Sequence, residues 1–210
     1  LASMYCLIRA LDERRWGWWA GYVSLALAAS YCHLFASLLL PVAAIYVFVR
    51  GWRQPKLWGY GALSIGTVVL AYLPFARNAW RAGQTAPEIN VYPDLDLAEQ
   101  VFVLLQGFAL RFLPDAPTWL WIPLLLLVAL IILGLLPAKP RKKWTTKLLL
   151  GLWIGIPLLA FFWINARRPA FNPKYLAGIL PAFWLAAAAG IVRLGKYKKW
   201  LALPALIVPL

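Results

Sequence analysis

Long apolar runs separated by short basic connections constrain this chain more than anything else in it. About 20 consecutive apolar residues are needed to cross a bilayer as a helix. Residues 57–75, 118–136, 148–164 and 176–192 read as runs of this kind. Residues 16–49 carry no charged side chain but are too long for one crossing. The best break lies at Ser30-Tyr31-Cys32-His33, which makes two helices joined by a tight turn. Residues 1–8 read as the tail of a helix, and a further span starts at Trp200. The expectation is an all-α polytopic membrane protein with about six to seven transmembrane helices. Residues 1–210 are read as a single transmembrane domain. The chain opens at Leu1 and runs straight into apolar sequence without a cleavable leader, so it is read as the C-terminal part of a larger membrane domain.

Composition supports this class. Hydrophobic residues make up 63% of the chain and charged residues 13%, against roughly 45–50% and about 25% in soluble domains. The 13 Trp suit aromatic belts at the two membrane surfaces. A net charge of +14 would raise nucleic-acid binding on a soluble chain. Here no basic module or stacking platform is visible, and nucleic acid is excluded as a partner. The cations instead set orientation. Loops 9–15, 50–56, 139–147 and 193–199 hold fifteen of the 21 Lys and Arg, and the alternate connections 30–33, 76–117 and 165–175 hold six. By the positive-inside rule the first set is cytoplasmic and the second faces outward. Anionic-lipid contact accounts for the basic loop 138–147.

The outward connection 165–175 departs from this logic. It contains Arg167, Arg168 and Lys174, two prolines and no acid. Cations there oppose the orientation bias, and cations at a membrane edge mark ligands or pathways. Arg presents a planar fork that matches phosphate oxygens, Lys a point charge, and Tyr175 adds a hydroxyl at headgroup level. A phosphate held at the membrane edge fits these groups. Snorkelling to ordinary headgroups fits them too.

Other features are weaker. His33 is the single histidine, and nothing near it has metal-ligand spacing. It lines an outer cavity or holds a helix turn. Cys6 and Cys32 form no CxxC and read as small packing residues. Asp94-Leu95-Asp96 has the form of an acidic pair, yet with Pro93 before it and Glu99 after it reads better as a helix start. The apolar stretch 101–108 behind it would lie on the outer interface as an amphipathic segment and shape an acceptor groove. Glu88 in the preceding turn is a weak candidate for touching the acceptor. Pro41, Pro123, Pro157 and Pro181 are read as kinks within spans.

Several short motifs resemble those of one family. Lys174-Tyr175-Leu176, Leu180-Pro181-Ala182 and Ala188-Ala189-Gly190-Ile191 are similar to the late "RY…LP…AG" segment of GT-C class membrane glycosyltransferases. These are the dolichyl-phosphate-mannose–protein mannosyltransferase-like enzymes with their bacterial aminoarabinose and mannosyl transferase relatives. Tyr31-Cys32-His33-Leu34-Phe35 looks like the "Y-T-H-x-F" element of bacterial members, and Tyr72-Leu73-Pro74-Phe75, followed by a loop with Trp80, is similar too. The resemblance implies transfer of a sugar from a polyprenyl-phosphate carrier to a protein, lipid or glycan acceptor on the outer face of a bacterial inner membrane. It implies carrier-phosphate contact at Lys174 and Tyr175, with Lys where many members have Arg. Arg167 and Arg168 could supply the fork that Lys lacks.

The family's catalytic carboxylate belongs to a first outer loop expected upstream of Leu1, and no residue of this chain matches it. No resident cofactor is called for, and a divalent cation is left open for the longer parent protein. The competing readings are a transporter or flippase of an anionic lipid-linked substrate, which should show repeat symmetry, and a non-catalytic membrane scaffold.

Overall fold

A computed structural model of the chain describes residues 1–85, 95–109, 117–136, 144–167 and 172–197. These residues form helices α1 (Ala2–Glu13), α2 (Trp16–Cys32), α3 (Leu39–Gly51), α4 (Pro55–Thr85), α5 (Leu97–Ala109), α6 (Trp121–Leu135), α7 (Trp144–Asn165) and α8 (Leu180–Tyr197). Short 3₁₀ turns at Leu34–Leu38, Thr118–Leu120 and Pro173–Ile179 lead into α3, α6 and α8. Among the described residues there is no strand. The all-α expectation is met. Among the described residues four segments are long and apolar enough to cross a membrane: Leu34–Gly51, Pro55–Ala79, Trp144–Asn165 and Pro173–Lys196. Leu97–Ala109 and Trp121–Leu135 are shorter apolar helices. Large apolar side chains such as Leu63, Leu70, Ile122, Leu125 and Leu159 are exposed, as suits a surface solvated by lipid.

The chain divides into two compact units, Leu1–Glu88 and Ile89–Leu210. In the first, α1 packs on α2, and α2 and α3 pack on α4. Leu7, Ala10, Tyr22, Val42, Ala43 and Val68 form its buried core. The break expected after Ser30 is present. Helix α2 ends at Cys32, and His33 takes an extended backbone (φ −149°, ψ 112°) before the 3₁₀ turn.

The basic connections here are tighter than the sequence indicates. Residues 9–13, expected in a loop, are the last turns of α1, so Arg9 pairs with Glu13 one turn on. Only Arg14 and Arg15 remain between α1 and α2. Arg14 closes α1 in a left-handed conformation (φ 57°), donating its N–H to the Ala10 carbonyl. That conformation costs a non-glycine residue about 1–2 kcal/mol. The Arg14 guanidinium donates to Gln54 Oε1 at 2.9 Å, and Arg50 pairs with Asp12 Oδ1 at 2.5 Å. The ends of α1 and α3 are thus tied together at one end of the unit. Residues 76–85, expected in the outward segment, continue α4.

In the second unit α6 and α8 make the closest contact. A Cβ added to Gly134 would lie 2.0 Å from the Ala186 carbonyl oxygen, and one added to Gly190 would lie 2.0 Å from the Leu130 carbonyl oxygen. The helices therefore touch backbone to backbone, with Ala186 and Gly190 one turn apart on α8. Small residues at such a spacing drive helix association in lipid, where apolar side chains gain little from leaving the solvent. Gly190 of the "AG" motif thus has a packing role. The C-terminal carbonyls of α6 are capped by cations from its neighbours. Arg193 donates to Leu136 O at 2.9 Å and to Leu133 O at 3.3 Å, and Lys147 also donates to Leu136 O.

Pro41, Pro123 and Pro181 sit in the first turns of α3, α6 and α8, directly after the 3₁₀ turns that lead into them. Pro157 is interior to α7, and so is Pro74 to α4. Cys6 is buried as expected, with its Sγ 3.3 Å from the point where Gly21 would carry a Cβ. Cys32, expected to pack, is exposed at the helix end.

Gly190→Ala and Gly134→Ala each drive a methyl into backbone. Overpacking of this kind costs about 1–3 kcal/mol, and a carbonyl cannot rotate away as a side chain can. Gly155→Ala, in α7 with open space around it, should be neutral or stabilising. Thermal unfolding of the full-length protein in detergent should separate the first two variants from the third.

Candidate functional site

The segment 165–175 joins α7 to the turn before α8. Helix α7 has 22 residues, which at 1.5 Å per residue span about 33 Å, near the thickness of a hydrocarbon core. Lys147 at its start meets Arg193 on the end of α6. Arg167 and Lys174 therefore lie at the other end of this unit, away from the α6 terminus that Lys147 and Arg193 cap. The separation of the two cation groups expected from alternation along the chain holds within the unit.

The connection is held at several points. The Arg167 N–H donates to the Ile164 carbonyl at 3.0 Å and continues the last turn of α7. Its guanidinium lies over the exposed Trp163 ring, 4.1 Å from the centroid. Asn172 (φ −151°) is the N-cap of the following 3₁₀ turn: its Oδ1 accepts from the Lys174 N–H at 3.2 Å, and Pro173 follows in the first position. The Asn172 carbonyl accepts from the Tyr175 N–H at 3.0 Å. Leu176 and Ile179 are buried, and Trp153 Nε1 of α7 donates to the Gly178 carbonyl at 2.9 Å. The Lys174 side chain is exposed and Tyr175 is half-buried. Among the described residues neither Arg167 nor Lys174 forms an ion pair. Arg168 lies outside the described residues.

Helix α5 packs beside this connection. Asp96 Oδ1 accepts from the Glu99 N–H at 2.8 Å while Glu99 Oε2 accepts from the Asp96 N–H at 2.9 Å, a reciprocal capping box. The reading of this acidic stretch as a helix start is borne out at Asp96. Asp94 and Glu88 lie outside the described residues. Gln100 donates to the Leu95 carbonyl, and its Oε1 accepts from Asn165 Nδ2 at 2.9 Å, which ties the start of α5 to the end of α7. Phe108 packs edge-on against Phe183, and Gly107 lies next to Pro173. Three residues missed by sequence reasoning, Asn172, Trp153 and Gln100, thus fix the connection. The Asn-Pro pair was a legible cap signal. The pairings of Trp153 and Gln100, across 25 and 65 residues, were not.

His33 belongs to the first unit. Its N–H donates to Ala29 O at 2.9 Å and its carbonyl accepts from the Ala36 N–H at 2.8 Å, so its backbone links α2 to the 3₁₀ turn. The imidazole is half-buried beside Phe35. The two motifs quoted from this half of the chain meet here. Tyr31 Oη donates to the Ala71 carbonyl at 2.8 Å, and the Tyr31 ring lies 5.6 Å from Tyr72 and 5.2 Å from Phe75. Among the described residues no three His, Cys, Asp or Glu side chains converge on a metal-sized site.

The architecture is that of a helical membrane protein, and its sequence has named relatives. It is 28% identical over 188 residues to the undecaprenyl phosphate-alpha-4-amino-4-deoxy-L-arabinose arabinosyl transferase 2 of Pseudomonas fluorescens, covering 80% of this chain and 31% of the relative. It is 30% identical over 182 residues to the corresponding transferase of Pseudomonas aeruginosa, with 80% and 31% covered. For that of Aeromonas salmonicida the match is 29% over 196 residues, with 85% and 33% covered. The chain spans about a third of the length of the curated relatives it matches. No family model matches the chain. No solved structure matches it either. The resemblance to GT-C class membrane glycosyltransferases, read from short motifs, is borne out by these relatives.

Asn172→Ala removes an N-cap, a loss of about 1 kcal/mol. That corresponds to roughly fivefold faster opening. Hydrogen exchange at the Lys174 amide in the full-length protein should rise by about that factor while α7 amides near Trp153 stay protected.

Proposed function

We propose that this chain is part of a membrane glycosyltransferase that moves a sugar from a polyprenyl-phosphate carrier to an acceptor on the outer face of the bacterial inner membrane. The similarity to arabinosyl transferases over four-fifths of the chain carries this reading. The names of these relatives specify an undecaprenyl-phosphate-linked donor.

In such a transfer an acceptor hydroxyl attacks the anomeric carbon. Its proton passes to a base, and the bond from that carbon to the phosphate oxygen breaks, the electron pair leaving with the lipid phosphate. Charge therefore grows on the phosphate, and fixed cations beside it lower the barrier. Arg167, Arg168, Lys174 and Tyr175 are assigned to that phosphate, and His33 to the wall of the substrate cavity. No residue of this chain is assigned as the base.

Three features support the phosphate assignment. Arg167 and Lys174 have no carboxylate partner among the described residues, so an incoming anion displaces no ion pair. Both lie at the end of a helix of bilayer-spanning length, where a lipid phosphate resides. Lys174 and Tyr175 follow a capping asparagine and lead into buried Leu176, so their backbone is fixed before the ligand arrives, and little ordering cost is left for binding. The helix α5 beside them is assigned to the acceptor side.

The test is donor binding by the full-length protein in detergent, using an undecaprenyl-phosphate sugar. Arg167→Ala, Arg168→Ala and Lys174→Ala are compared with wild type. At least one should weaken binding tenfold or more, about 1.4 kcal/mol, and Lys174→Arg should retain it. Wild-type binding by all three alanine variants would make the connection a membrane anchor and remove it from the site.

A further inference from the structure

The turn between α3 and α4, in the first unit, combines exposed cations with a cluster of aromatic rings. Two adjoining open surface depressions of about 470 and 460 Å³ share Phe48 and Trp52. The first is completed by Val49, Arg50, Arg53 and Gln54. The second is completed by Gly51, Pro55, Trp58 and Gly59. Phe48 packs edge-on against Trp52 (4.7 Å) and Trp58 (5.5 Å), so three rings form a wall between a cationic compartment and an apolar one.

Charge at this end of the unit is unbalanced. The two acids there are already engaged: Asp12 pairs with Arg50, and Glu13 with Arg9 and the Trp18 indole. Gln54 is taken by Arg14. Arg15, Arg53 and Lys56 are exposed and have no acid partner among the described residues. Arg53 is the one of these that lines the cavity. Further along α4, Gly59 and Gly66, two turns apart on one face, each leave open space. Leu63 and Leu70 beside them are exposed to lipid. A soluble anion would fill only the first compartment. A molecule with a phosphate and an acyl chain fills both.

We propose that this groove seats one anionic diacyl phospholipid, its phosphate against Arg53 and its chain over Phe48, Trp58 and Gly59. The site lies in the unit without Arg167 and Lys174 and does not depend on the reading of those residues. A lipid bound here offsets one positive charge at the end where α1 and α3 are tied.

Native mass spectrometry of the full-length protein, titrated with phosphatidylglycerol, phosphatidylethanolamine or inorganic phosphate, tests this. Phosphatidylglycerol should be retained at least fivefold better than phosphatidylethanolamine. Arg53→Gln and Trp58→Ala should each reduce that retention at least fivefold, and Lys196→Gln, a cation of the other unit, should not. Arg53 is exposed on a turn, so its variant folds and keeps the test decisive if Trp58→Ala does not. Equal retention of the two lipids would overturn the proposal, as would an unchanged Arg53→Gln variant. Displacement of the lipid by millimolar inorganic phosphate would make this a soluble-anion site and overturn it as well.

Discussion

The need to satisfy helix ends organises what the described residues do. Inside a bilayer a helix pairs its own backbone groups, but four N–H and four C=O groups at its termini remain. Here several of those ends find named partners, while the starts of α1, α2, α3 and α6 carry no side-chain cap. Arg193 and Lys147 cap α6 from two neighbouring helices, Asp96 and Glu99 cap the start of α5, and Asn172 caps the turn into α8. Arg14 closes α1 and reaches across to Gln54. Each cap also fixes a connection, so the polar ends of the helices double as the joints of each unit.

This arrangement gives the cations two different roles. Arg193, Lys147, Arg14 and Arg50 act on carbonyls, an amide and a carboxylate, and so are structural as placed. Arg167, Lys174 and Arg53 have no carboxylate partner among the described residues. Basic residues used for topology and basic residues available for ligands look identical in a count of Lys and Arg. They are told apart by what lies opposite them.

Close helix contact in the second unit places the candidate connection. Gly134 and Gly190 let α8 approach α6 until backbone meets backbone. Trp153 then reaches the Gly178 carbonyl from α7, and Gln100 holds Asn165 from α5. The turn carrying Lys174 and Tyr175 is thereby attached to α7 and to buried Leu176 and Ile179. A loop held in this way can present charge at a fixed position, which a floppy tether could not.

Much of this was legible in the sequence, because apolar length and charge alternation are local properties. The helical class, the break at His33, the helix start near Asp96 and the two groups of cations follow from spacing alone. The helix ends were not legible to the residue. Arg9 to Glu13 and residues 76–85 look like loop because they are polar, yet the i to i+4 pairing of Arg9 with Glu13 lets that charged stretch stay helical. Pro41, Pro123 and Pro181 fall where a 3₁₀ turn gives way to an α-helix, a boundary that apolar length does not mark. The meeting of Tyr31 with Tyr72 and Phe75, the hold of Trp153 on Gly178 and the aromatic wall of Phe48, Trp52 and Trp58 depend on which helices pack together. Sequence determined which segments are helices that lipid will accept. Tertiary structure decided which polar groups remain open, because that depends on partners brought from distant positions in the chain.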